Sequence, residues 1–234
     1  MGIKLNEFFE ISAFAGVTLS LLAYALGMFL KRKTRLGIFN PLLVSIAVTI
    51  IVLVIAHVDY DTYNKGAVYL SWFLTPATVC LAIPLYEQIE LLKKHWKAVF
   101  AGILSGVFTS LLTVFILSKV MSLSHKEYVT MLPKSITTAI GMGVSEELGG
   151  YVTITVAVII VTGVLGNILA EFICKIFKIT EPIAKGLAIG SASHAIGTAK
   201  AMEMGEIEGA MSSLSIAVAG IITVVGASIF ANFI

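Results

Sequence analysis

The chain alternates between long apolar stretches and short charged ones, and the lengths of the apolar stretches give the first inference. Six uncharged runs stand close to 11–30, 37–56, 66–86, 98–118, 149–170 and 209–234, each of 20 or more residues. About 20 apolar residues in a helix cross about 30 Å of hydrocarbon. Backbone N–H and C=O groups find no water there, so a crossing segment closes its own hydrogen bonds as a helix. The short alternating segments of a barrel strand are absent. The pattern predicts an all-α polytopic membrane protein with about six transmembrane helices. Two further apolar stretches are too short to span, 135–145 with 11 uncharged residues and 186–199 with 14. Both are expected to be re-entrant or discontinuous half-helix segments.

Composition agrees, with 58% of the 234 residues hydrophobic and 13% charged, where a soluble domain has about 25% charged. The first run is longer than a signal core and is followed by Lys31, Arg32 and Lys33, so it is expected to remain as the first crossing. "KRKTR" (31–35), beside a helix end, reads as a cytoplasmic anchor; no nucleic acid is expected as a partner. Cys80 and Cys174 are isolated and suggest packing, with no disulfide framework, metal site or cofactor. With both short stretches re-entrant, 11 of the 16 Lys and Arg share one face, against five (Lys4, Lys65, Lys119, Lys126, Lys134). With both crossing fully, the split becomes eight against eight. Basic loops stay on the cytoplasmic side, so the re-entrant arrangement is predicted, with both termini outside and "HVDYDTYNKG" (57–66) as an external loop.

An offset of sixty residues aligns the chain with itself. It pairs Ile136 with Ile196, Thr138 with Thr198, Ala139 with Ala199, Met142 with Met202, Glu146 with Glu206, Gly149 with Gly209 and Gly166 with Gly226. Each unit is a short polar-edged segment followed by one full crossing, so the two units are expected to be inverted. Interrupted segments at matching positions of inverted halves point to a transporter's binding site. In the first, Pro133 favours an extended approach and a helix can start near Thr137 or Thr138. In the second, Gly186, Gly190 and Gly197 punctuate the chain and a helix is expected to restart around Thr198. Two half-helix N-termini would then face each other near mid-membrane, with free N–H groups suited to a carboxylate or phosphate.

The candidate binding residues are Lys134, Ser135, Thr137, Thr138, Asn167, Ser193, His194, Gly197 and Thr198. His194 lies inside an apolar stretch, whereas His57, His95 and His125 flank the runs; a neutral-range imidazole suits proton coupling, or else bonds a nearby carbonyl. Glu146 and Glu206 are the other proton-coupling candidates, or solvated helix ends. Lys134 either draws in anions or snorkels to the interface, and Asn167 is either a cavity residue or an interhelical bond. The serines and threonines line a site or bond helix to helix. Pro76 and Pro84 kink the third crossing, and "GILSG" (102–106) fits small-residue helix packing. Ser145 is a turn or more from the proposed site and has no base, so no catalytic residues are assigned and no enzyme is expected.

"TPATVCLAIPLY" (75–86), "MLPKSITTAIGMGVSEELGG" (131–150) and "GLAIGSASHAIGTAKAMEMGEIEGAMSSLSIAVAGIIT" (186–223) closely resemble the LrgB family of bacterial membrane proteins. That family is labelled antiholin-like or murein-hydrolase regulating, and a similar region occurs in the plastidal glycolate/glycerate translocator of plants. The resemblance implies a carrier for small monocarboxylates such as glycolate, glycerate or pyruvate, in a bacterial cytoplasmic membrane, with an LrgA-like membrane partner. It also tilts the architecture to an elevator-like homodimer. The alternative it carries is a holin/antiholin-type pore or regulator of murein hydrolase export and cell lysis. A pore needs neither inverted repeats nor paired half-helices, which favours the carrier. The expected organisation is one integral membrane domain (1–234), with scaffold helices in 1–65 and 98–120 and a Pro-kinked crossing in 66–97. Repeat units then occupy 133–170 and 186–234.

Overall fold

The structure, a computed structural model, describes residues 8–10, 12, 14–34, 39–80 and 82–234. Among the described residues it is helical throughout, with no strand. In chain order the helices are α1 (Ala15–Thr34), α2 (Pro41–Ile55), α3 (Tyr60–Ser71), α4 (Leu74–Cys80), α5 (Ala82–Glu87) and α6 (Ile89–Val120). They continue as α7 (His125–Met131), α8 (Thr138–Glu147), α9 (Val152–Ile176), α10 (Pro182–Met204) and α11 (Glu206–Phe230). Among the described residues three are long and apolar enough to cross a membrane: α6, α9, and α11 with the 3-10 turn that extends it to Phe233. Internal contacts divide the chain into two compact units, Met1–Cys80 and Leu81–Ile234.

In the first unit, small residues let the helices approach closely. A Cβ on Gly16 of α1 would collide with the Tyr63 carbonyl and the Ala67 nitrogen of α3, and one on Gly27 would meet the Pro41 backbone of α2. The Ser20 hydroxyl stands 2.6 Å from the Tyr63 hydroxyl, adding a polar link between α1 and α3. Asn40 caps α2 by accepting from the Leu42 and Leu43 N–H groups at 2.9 and 3.3 Å, with Pro41 at the first helical position. The 15 residues of α2 reach only about 22 Å, shorter than the predicted 37–56 run, of which 37 and 38 lie outside the described residues. The expected loop 57–66 shrinks to His57–Asp59, because α3 already begins at Tyr60 and His57 turns the chain with φ 52°. The stretch predicted as a Pro-kinked third crossing is divided further than a kink. Pro76 stands in the first turn of the short helix α4, and Pro84, in the second unit, in the first turn of α5, where a missing N–H breaks no bond.

In the second unit, α6 buries Val99, Ile103, Val107, Leu111 and Val114 in a core shared with Ala210, Met211, Ala219 and Ala227 of α11. Their three- and four-residue spacing puts them on one helical face. The Tyr128 hydroxyl, on α7, donates to the Phe230 carbonyl at 2.9 Å, fastening the end of α11. Helix α8 starts at Thr138 with Thr137 as its N-cap residue, as predicted. The break in α10 falls elsewhere than predicted. The helix runs straight through Gly186 and Gly190 and leaves helical geometry at His194, four residues before Thr198. Those glycines serve close packing instead: a Cβ on Gly186 would strike the Glu208 carbonyl, and one on Gly190 the Ser212 carbonyl, both of α11.

Candidate functional site

The break in α10 is a built feature. His194 has φ 42° and ψ −143°, a region that costs a residue with a Cβ about 1–3 kcal/mol and persists only where its surroundings enforce it. Its ring Nε2 lies 3.0 Å from the Ile159 carbonyl of α9; a carbonyl only accepts, so Nε2 carries the proton. The Thr198 hydroxyl donates to the His194 carbonyl at 2.9 Å and stands 2.7 Å from the Ser212 hydroxyl of α11. The Asn167 amide, on α9, donates to the Ile196 carbonyl at 2.7 Å. Gly163 leaves room for the ring, since a Cβ there would stand 2.6 Å from its Cε1. Ser193 is buried against Gly166, and Gly197 packs on Ser193 and Ile189. Ser193, His194, Gly197, Thr198 and Asn167 are thus brought together at one interruption.

The start of α8 abuts the same turn of α9: a Cβ on Gly141 would collide with the Ile159 side chain. Thr137 makes no side-chain bond to the helix it caps, which leaves the first N–H groups of α8 uncapped by it. Glu146 is exposed near the far end of α8, and Glu206 is exposed in the first turn of α11. Ser145 is fully buried, with its hydroxyl 2.7 Å from that of Thr155, a bond that ties α8 to α9.

A cavity of about 790 Å³ opens between one face of α6, the first limb of α10 and the turn at Lys134 and Ser135. Helices α6 and α10 run side by side here because Gly102 faces Leu187 and Gly106 faces Ser191. The Lys134 ammonium donates to the Ser135 hydroxyl at 2.9 Å, and that hydroxyl stands 3.0 Å from Ser110 of α6. Among the described residues no carboxylate lies within 4.0 Å of Lys134. The lysines near the ends of α10 differ: Lys185 pairs with Glu208 at 3.7 Å, and Lys200 with Glu171 at 2.6 Å and Glu203 at 3.3 Å. A partly desolvated ammonium without a counter-charge attracts an anion.

Of the candidate binding residues, Lys134 and Ser135 line this cavity; Thr137, Thr138, Asn167, Ser193, His194, Gly197 and Thr198 do not. Sequence reasoning missed its α6 wall, formed by Gly102, Ser105, Gly106, Thr109, Ser110 and Thr113. The available signal was small and hydroxyl residues recurring every three or four positions through an otherwise apolar crossing.

The LrgB-like family profile matches residues 20–233. The antiholin-like protein LrgB of Bacillus cereus is 39% identical over 225 residues, covering 96% of this chain and 98% of that protein. The protein of the same name from Bacillus anthracis gives the same identity and coverage. No solved structure matches. With three long apolar helices and a match along nearly its whole length, this integral membrane protein belongs to the LrgB-like family.

Proposed function

We propose that the protein is a carrier of small organic monoanions, such as glycolate, glycerate or pyruvate, in the bacterial cytoplasmic membrane. The observation that carries this reading is the Lys134 ammonium, bonded to a serine and to no carboxylate, at the edge of a cavity of about 790 Å³ with a hydroxyl-bearing wall. Lys134 supplies the cation for one carboxylate; Glu181 also lines the cavity but does not lie within 4.0 Å of that ammonium. The element order supports an inverted repeat: two short limbs and a long helix in α7–α9, then two limbs divided at His194 and a long helix in α10 and α11. The sixty-residue offset puts Lys134 in register with His194, so each interruption carries a basic side chain.

Within this proposal the chain makes six crossings, and the two repeat units shift as a block in elevator-like movement past scaffold helices. It works as a homodimer, with or without a small LrgA-like subunit. His194, with Glu146 and Glu206 as the exposed alternatives, couples transport to protons. Uptake of radiolabelled pyruvate or glycolate into proteoliposomes tests the reading: saturable, pH-dependent uptake is expected, and Lys134→Gln removes it. The relatives' name, antiholin-like, favours a second reading as a pore or lysis regulator. Leakage of an uncharged dye from the same vesicles, without saturable uptake, would replace the first reading with the second.

A further inference from the structure

We infer that Ser110 of α6 is a ligand-binding residue of the Lys134 cavity, presenting a hydroxyl proton for which the described residues supply no acceptor. This rests on the anion-site reading and adds a second donor beside Lys134 to it. An ammonium has three N–H donors and no acceptor, so Ser135 must accept from Lys134 across their 2.9 Å contact. Ser135 and Ser110 stand 3.0 Å apart. Two hydroxyls hold two protons, and one bond between them uses one. Among the described residues neither serine has any other partner, so one proton is left over whichever way the pair is oriented. Accepting from an ammonium makes Ser135 the stronger donor of the two. Its proton therefore goes to Ser110, and the surplus proton sits on Ser110, the less buried of the pair, at the cavity wall.

Neighbouring hydroxyls behave differently. Serines and threonines on helices commonly return their proton to a carbonyl one turn back. Ser105 does so to Gly102 at 2.8 Å, Thr113 to Thr109 at 2.7 Å and Ser191 to Leu187 at 2.7 Å. Ser110 does not, although it sits on the same helix as two of them. A carboxylate placed beside the pair accepts from Lys134 with one oxygen and from Ser110 with the other. The lysine supplies a point charge, and the serine supplies the direction that a point charge lacks.

The test combines equilibrium binding of radiolabelled pyruvate to the purified chain in detergent with initial-rate uptake in proteoliposomes. Ser110→Cys keeps the volume but replaces a strong donor with a weak S–H, and is expected to raise Kd and KM about tenfold, as for loss of one bond to a charged group. Its kcat stays within about twofold of the parent, because the bond is lost from bound and transported states alike. Ser110→Thr, which retains the hydroxyl, restores most of the affinity. If Lys134→Gln abolishes binding while Ser110→Cys binds like the parent, the Ser110 assignment is overturned and the anion site stands. If Ser110→Thr binds as poorly as Ser110→Cys, the position acts through packing and the assignment is again overturned. If Lys134→Gln binds like the parent, or the parent does not bind, the anion-site reading fails and takes the inference with it.

Discussion

Gly163→Ala sets two known effects against each other. Alanine in a helix interior is favoured over glycine by about 1 kcal/mol, so on propensity alone the substitution stabilises α9. The new methyl would lie 2.6 Å from His194 Cε1, 2.8 Å from Nε2 and 2.9 Å from Ile196 Cβ, where ordinary contact is 3.4–4 Å. The ring must withdraw by about 1 Å, which stretches its 3.0 Å bond to the Ile159 carbonyl beyond hydrogen-bonding range. Overpacking of this kind costs about 1–3 kcal/mol, and the lost bond about 1 kcal/mol more. The net expectation is destabilisation by about 1–3 kcal/mol. For a chain of this length that lowers the melting temperature by roughly 2–4 °C per kcal/mol. Thermal unfolding of the purified protein in detergent reads it directly, with Gly143→Ala as the comparison because nothing lies within 4 Å of a Cβ there. A Gly163→Ala protein as stable as Gly143→Ala would refute the packing of the α10 break onto α9.

Thr198→Val keeps the shape but leaves the buried His194 carbonyl and Ser212 hydroxyl short of a partner. A loss of about 1–3 kcal/mol is expected in the same melts, and adding Ser212→Ala should cost less than the sum of the two single changes. Tyr128→Phe removes the bond to the Phe230 carbonyl, and about 1 kcal/mol of stability should go with it, seen as faster hydrogen exchange through Ala231–Phe233. The Ser124 hydroxyl and N–H hold the Glu127 carboxyl below its ordinary pKa, at the capping box that starts α7. A folded-state pKa below the unfolded one means the contribution is full above the unfolded value and is lost as pH falls through the folded one. Protection of the Ser124 amide, its exchange rate taken relative to the intrinsic rate at each pH, should fall on acidification through the carboxylate range, and Glu127→Gln should flatten that dependence.

How much was legible in the sequence depended on whether a feature is set locally. Membrane crossing by residues 98–118, 149–170 and 209–234 follows from apolar length alone, and α6, α9 and α11 carry it. The start of α8 at Thr138 was placed correctly, but the local reasons for it were not: residues 132–135 form turns, with Lys134 N–H on the Met131 carbonyl and Ile136 N–H on that of Pro133, where an extended approach was expected, and the Thr137 side chain makes no capping bond. The break in α10 was placed at the wrong residue because glycine was taken as a local signal. Gly186 and Gly190 answer to α11, whose Glu208 and Ser212 carbonyls need the space. His194, with a Cβ and no intrinsic preference for φ 42°, adopts that angle because α9 and α11 supply Ile159 and Ser212 to the surrounding bonds. A strained residue is enforced from outside, so its own neighbours in sequence cannot announce it.

The α6 wall was hidden for a related reason. Hydroxyl residues in a crossing helix can satisfy themselves on their own backbone, and Ser105 and Thr113 do. Sequence alone does not separate those from Ser110, since all three follow the same helical period. What separates them is a partner on another element: Ser135, itself committed to Lys134, stands within 3.0 Å of Ser110. The polarity of the cavity therefore resides in which protons remain unclaimed after the helices have packed. Counting hydroxyls along α6 would overstate it, and reading "GILSG" as a packing motif leaves it out. Gly102 and Gly106 do pack, against Leu187 and Ser191; by drawing α6 against α10 they set the walls between which one unpaired ammonium can hold a carboxylate.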